Sequence, residues 1–109
     1  DIYLWYGQIK NGSVYLKYDD LDSYYFAAIQ AWTSKHNVKW GLAETGITDL
    51  ASEKWPTWMS NQVKALKSRG AVAFTYFNTS LNNIGATWPI TTVNKTQQYT
   101  AALKLGARM

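Results

Sequence analysis

Among the seven acidic residues of the chain, Glu44 alone stands toward the end of a run that reads as a β-strand, KWGLAETGI from Lys39 to Ile47. Burying a carboxylate there costs several kcal/mol unless it is paired, hydrogen-bonded or protonated. Glu44 is therefore either a rim charge reaching water or a working group. Two other strand-like runs end on residues with chemical potential, Trp5-Tyr6 and Tyr76 to Asn78. In α/β sheets and barrels, ligands meet the carboxyl ends of the strands. If the three strands are parallel neighbours, their ends bring a carboxylate together with phenols, an amide and indoles. That set suits a polar, uncharged ligand with apolar ring faces. Carbohydrate fits better than nucleotide, because no phosphate-binding glycine loop is present.

The other acids read as structural. Asp1, Asp19, Asp20, Asp22, Asp49 and Glu53 fall in helix caps or loops, and Asp49 and Glu53 suit the positive end of a helix dipole. His36 is the only histidine and lies at a helix end, where its charge is favourable. With one His and no Cys, neither a metal site nor a thiol nucleophile is expected, and no cofactor is implied. The serines lack a His partner at a strand end, so a hydrolytic triad is not expected.

The elements that must position these groups follow from periodicity. DIYLWYG reads as a strand, and Asn11-Gly12 suits a type I′ turn, giving either a small hairpin or a surface loop. Leu21, Tyr25, Ala28, Ile29 and Trp32 recur at helical steps, with Asp20 or Asp22 as cap and Asn37 in the left-handed terminal position. KWGLAE follows as a strand closed by a Thr45-Gly46 turn, and alternation predicts Trp40, Leu42 and Glu44 on one face. A second helix is expected through ASEKWPTWMSNQVKALKSRG, with Pro56 in its first turn, a stripe of Trp55, Met59, Val63 and Leu66, and Gly70 as its stop. AVAFTYFN is the next strand. A last helix over TTVNKTQQYTAALKLG turns Tyr99, Ala102 and Leu103 inward and stops at Gly106. Alternating β and α at this spacing implies parallel strands with right-handed crossovers, in one unit without a linker or repeat.

Composition narrows the partner. The chain has 109 residues with Trp 6, Tyr 8 and Phe 3, so its aromatics favour rings with a polar tip, suited to stacking on sugars, bases or partner proteins. The net charge of +4 is spread over isolated basic residues rather than a nucleic-acid arm, so nucleic acid is not the expected partner. No apolar run approaches the roughly 18 residues that span a bilayer. The three N-x-S/T matches, at Asn11, Asn78 and Asn94, are read as coincidental in an Asn/Thr-rich chain. Asp1 in place of Met suggests a processed chain or a piece of a longer one.

These segments carry a resemblance. WGLAETGI, then KWPTWMSNQVKALKSRGAVAFTYFN, then Trp88 resemble the last third of a (β/α)8-barrel glycoside hydrolase of family 26 (β-mannanase-like), or of a related family in the same clan. The likeness extends from about Asp1 to Gly106, with Thr45 where the family usually has an aromatic. It implies an α/β fold made of three βα units of a partial TIM barrel. Residues 1–109 would form one domain equivalent to about strands 6–8 and helices 6–8. It further implies that Glu44 is the nucleophile of a retaining mechanism and that Tyr6 hydrogen-bonds it and keeps it ionised. Trp88 would be a sugar platform, with Tyr76 or Asn78 at the rim and Trp5 beside them. The acid/base, needed about 5 Å away, comes in this clan from strand four, ahead of Asp1.

The expectation is therefore half of a glycosidase site acting on β-linked polysaccharide, inactive alone, in an extracellular or cell-surface protein. The alternative is a non-catalytic carbohydrate-binding or structural module of a cell-surface or virus-particle protein. A basic single-strand nucleic-acid binder that stacks bases on Tyr and Trp is the third reading. Three βα units cannot close a barrel, so self-association or pairing with an N-terminal barrel portion is also expected.

Overall fold

The computed structural model describes residues 1–81, 85 and 87–106. The elements run β1 (Ile2–Leu4), β2 (Ile9–Lys10), β3 (Ser13–Val14), α1 (Ala27–Lys35), β4 (Trp40–Ile47), α2 (Asp49–Lys54), α3 (Trp58–Ser68), β5 (Ala71–Tyr76) and α4 (Val93–Gly106). A wide π turn over Asp22–Phe26 leads into α1. β1, β4 and β5 form one sheet in that order, all parallel, with Ile2 opposite Thr45 and Thr45 opposite Tyr76. The protein is thus mixed α/β, with a three-stranded parallel sheet whose strands lie side by side in their order along the chain, the β2–β3 hairpin being inserted between the first two.

Local chemistry accounts for most boundaries. β2 and β3 pair antiparallel around Asn11 and Gly12, whose φ values of 53° and 79° are those of a type I′ turn. The Asp20 carboxylate accepts from the Asp22 N–H at 3.2 Å and opens the first helical segment. Asn37 takes φ 52° just beyond α1, and Gly70 takes φ 79° beyond α3.

The predicted second helix is two helices. Pro56 forces the preceding Trp55 out of the helical region, to φ −125° and ψ 79°, so the chain breaks between α2 and α3. Gln98 of α4 bridges the break: its amide donates to the Ser52 carbonyl at 2.9 Å and accepts from the Met59 N–H at 3.3 Å. One side chain thus satisfies the end of α2 and an orphan donor of α3.

Leu42, Phe74 and Tyr76 of the sheet meet Trp58, Met59, Val63 and Leu66 of α3 and Tyr99 and Ala102 of α4. Leu103, predicted to face inward, is 48% exposed; the buried face of α4 is Lys95, Gln98 and Ala102. The opposite sheet face carries small residues, and Gly41, Ala43, Ala73 and Thr75 are exposed on it. The sheet is therefore covered by helices on one side and open on the other.

One ion pair ties the first helical segment to the end of α3. Arg69 donates to both Asp22 oxygens, at 2.9 and 3.0 Å, and to the Gln30 side chain at 3.1 Å. Hydrogen bonding to Arg69 holds the Asp22 carboxyl below its ordinary 3.8. A lowered carboxyl value stabilises the fold above pH 3.8 and loses that contribution as pH falls through the folded-state value. Asp22→Asn is therefore expected to give a slightly lower Tm than wild type at neutral pH, with the gap closing in acid. The effect is small because both side chains are about one-third exposed. Melting curves from pH 2 to pH 7 check this, and a gap independent of pH would contradict it.

Candidate functional site

A register irregularity decides where Glu44 points. Between Leu42 and Thr45 strand β4 spends three steps while its partner β5 spends two, from Phe74 to Tyr76. The extra residue is a β-bulge, which resets the alternation of side chains. Leu42 and Thr45 both face the helices, whereas Glu44 leaves on the open face with Gly46. The expected grouping of Trp40, Leu42 and Glu44 on one side is thereby corrected. β4 also continues to Ile47, so Thr45-Gly46 is strand rather than turn and Glu44 lies within the ladder.

On that face a cleft of about 410 Å³ is lined by Asp1, Tyr3, Trp5, Glu44, Phe77, Leu81 and Trp88. The Tyr3 phenol donates to Glu44 Oε2 at 2.6 Å. Burial, and then the Glu44 hydrogen bond, push the Tyr3 hydroxyl above its ordinary value, so it remains a protonated donor at neutral pH. The Tyr3 ring lies 4.9 Å from Trp88 and meets Phe77 edge-on at 5.8 Å, and Trp5 meets Trp88 edge-on at 5.6 Å. Gly46 makes this packing possible, since a Cβ there would lie 2.9 Å from the Tyr3 ring and 3.3 Å from that of Trp88.

Several residues expected in the site stand elsewhere. Tyr6 does not hydrogen-bond Glu44; its hydroxyl accepts from Lys54 Nζ at 3.1 Å and its ring packs on Trp55. The reason is parity, because Tyr3 and Trp5 share one side of the first segment while Leu4 and Tyr6 pack toward the core. Tyr76 is likewise turned to the helices, where burial raises its hydroxyl above the ordinary value. That hydroxyl donates to the Trp88 carbonyl at 2.6 Å and accepts from the Ile47 N–H at 3.3 Å, so Tyr76 is a strut behind the cleft. Asn78 accepts from the Ile90 N–H at 2.9 Å and closes the base of the following loop. Trp88 lines the cleft but is only 2% exposed, so it offers no open stacking face. Trp5, 36% exposed, is the ring that reaches solvent.

Tyr3, Phe77 and Gly46 were not singled out by the sequence reading. Period-two counting along DIYLWYG and AVAFTYFN pairs Tyr3 with Trp5 and Phe77 with Thr75, which is the signal that finds them. Asp1, read as a loop residue, borders the cleft one position before the Ile2–Thr45 pair. Among the described residues, no three His, Cys, Asp or Glu side chains stand close enough to share a metal ion, and no helix is long and apolar enough to cross a membrane.

The arrangement can orient one carboxylate through a phenol, inside an aromatic cleft that opens on a sheet face. Compared with protein-family models, with curated proteins and with solved structures, the chain matches none of them.

Proposed function

We propose that the chain is the C-terminal portion of a retaining glycoside hydrolase acting on β-linked polysaccharide, with Glu44 as nucleophile. The observation that carries this reading is the 2.6 Å hydrogen bond from Tyr3 to Glu44 inside the aromatic cleft. In this role one Glu44 oxygen attacks the anomeric carbon as the leaving oxygen is protonated, giving a glycosyl-enzyme that water then releases. The Tyr3 donor fixes the carboxylate plane and favours its charged form. The sheet supports the partial-barrel reading. Parallel strands that lie side by side in their order along the chain, with helices on one face, are what a (β/α)8 segment requires. A second part of the barrel then supplies the acid/base and pairs with the outer edges of β1 and β5, which have no strand partner among the described residues. A polysaccharide substrate suits an extracellular or cell-surface setting.

A carbohydrate-binding module without catalysis is the second reading, favoured by a cleft whose lining carboxylates among the described residues are Glu44 and Asp1, with no acid from a third strand. Both readings require sugar to bind. Titration of β-linked manno- and gluco-oligosaccharides against tryptophan fluorescence is expected to change the emission. Trp5→Ala should weaken binding roughly tenfold, from the loss of about 1.5 kcal/mol of stacking. No response in the wild-type chain up to millimolar sugar would sink both readings. Hydrolysis by the longer chain, or its absence, then separates them.

A further inference from the structure

Among the described residues the most deeply buried charge is Lys95, in the first turn of α4, whose side chain is 0% exposed. That position opposes the helix dipole, which disfavours a cation near an N-terminus. Withdrawing an ammonium from water adds a further penalty unless it is paired and hydrogen-bonded. Burial accordingly lowers the Lys95 value from the ordinary one, against the raising effect of Asp49. Helix stability therefore does not explain this residue, and its partners do.

Lys95 Nζ stands 2.7 Å from Asp49 Oδ1 and donates to the carbonyls of Thr87 at 2.8 Å, Trp88 at 3.1 Å and Pro89 at 3.4 Å. The Thr87 hydroxyl donates to the other Asp49 oxygen, and the Tyr76 hydroxyl donates to the same Trp88 carbonyl. Backbone 87–89 is thus held from α2, β5 and α4 together. The Trp88 ring on that backbone presses on Tyr3, the donor to Glu44.

We propose that Lys95 is a positioning residue. Its ammonium clamps backbone 87–89 to Asp49, and so fixes the Trp88 indole as the rigid wall that aligns Tyr3, and through it Glu44, for a sugar substrate. The clause about substrate rests on the glycosidase reading; the clamp itself does not.

Lys95→Met keeps the length of the side chain and removes every donor. In this variant the near-UV circular dichroism from the Trp5, Trp88 and Tyr3 cluster is expected to lose most of its intensity, while the far-UV spectrum stays that of wild type. Oligosaccharide affinity should fall roughly tenfold, as the Tyr3 and Trp5 rings that pack on Trp88 lose their alignment. Asp49→Asn, which leaves the three carbonyls in place, should give an intermediate near-UV loss. A wild-type near-UV spectrum in Lys95→Met overturns the proposal. So does loss of the far-UV spectrum in both variants, because Lys95 would then hold up the domain rather than the ring. If the wild-type chain binds no sugar, the glycosidase reading fails, and the near-UV comparison still decides the clamp.

Discussion

If Glu44 is the nucleophile of the proposed glycosidase, Glu44→Gln in a longer chain that completes the barrel is expected to lower kcat by on the order of 10³ or more, about 4 kcal/mol of barrier. The amide keeps the shape of the carboxylate and still accepts the Tyr3 hydrogen bond, so the fold and sugar affinity should change little. What disappears is the anionic oxygen that the proposed mechanism uses to form the glycosyl-enzyme. Glu44→Ala should show the same loss, with partial recovery in azide. The small anion enters the space vacated by the carboxylate and attacks the anomeric carbon, while the leaving oxygen takes its proton from the acid/base. The product is then a glycosyl azide of inverted configuration. A Gln variant that hydrolyses substrate at the wild-type rate would end the nucleophile assignment. In the isolated chain the same substitution should leave oligosaccharide titrations nearly unchanged.

The order of elements was legible because periodicity and turn chemistry are local. Asn11-Gly12, Asn37 and Gly70 occupy the left-handed positions that their side chains favour, and the parallel sheet follows from the spacing of its strands. The detailed site was less legible, for two physical reasons. A β-bulge arises from the match between two strands, so nothing within KWGLAETGI says that alternation resets before Thr45. Parity along a short strand is also lost when its start is uncertain by one residue, and one step exchanges Tyr3 for Tyr6 and Phe77 for Tyr76. Lys95 escaped for a related reason. Its neighbours in sequence are polar, and only the tertiary meeting of α4 with backbone 87–89 and Asp49 makes its burial tolerable. The break at Pro56 was legible in kind, since the residue before a proline resists helix, but the stripe of Trp55, Met59, Val63 and Leu66 reads straight through it.

Gly46→Ala carries the second large effect, although it adds one methyl group. Gly46 is not among the glycines with positive φ, so space rather than backbone conformation excludes a side chain there. The added Cβ would lie 2.9 and 3.0 Å from two atoms of the Tyr3 ring and 3.3 Å from Trp88 Cε3. Trp88 is enclosed and held through its backbone, so the Tyr3 ring is the one that yields. Overpacking of this kind costs about 1–3 kcal/mol of stability. Moving the ring also separates the phenol from Glu44, so on the proposed glycosidase reading catalysis by the longer chain should fall further than binding does. A double-mutant cycle isolates the cause. In a Tyr3→Ala background the methyl group has room, and the stability cost of Gly46→Ala should shrink to within about 0.5 kcal/mol of zero. An undiminished cost in that background would mean that the methyl group strains the strand itself, and that Gly46 does not serve the seating of Tyr3.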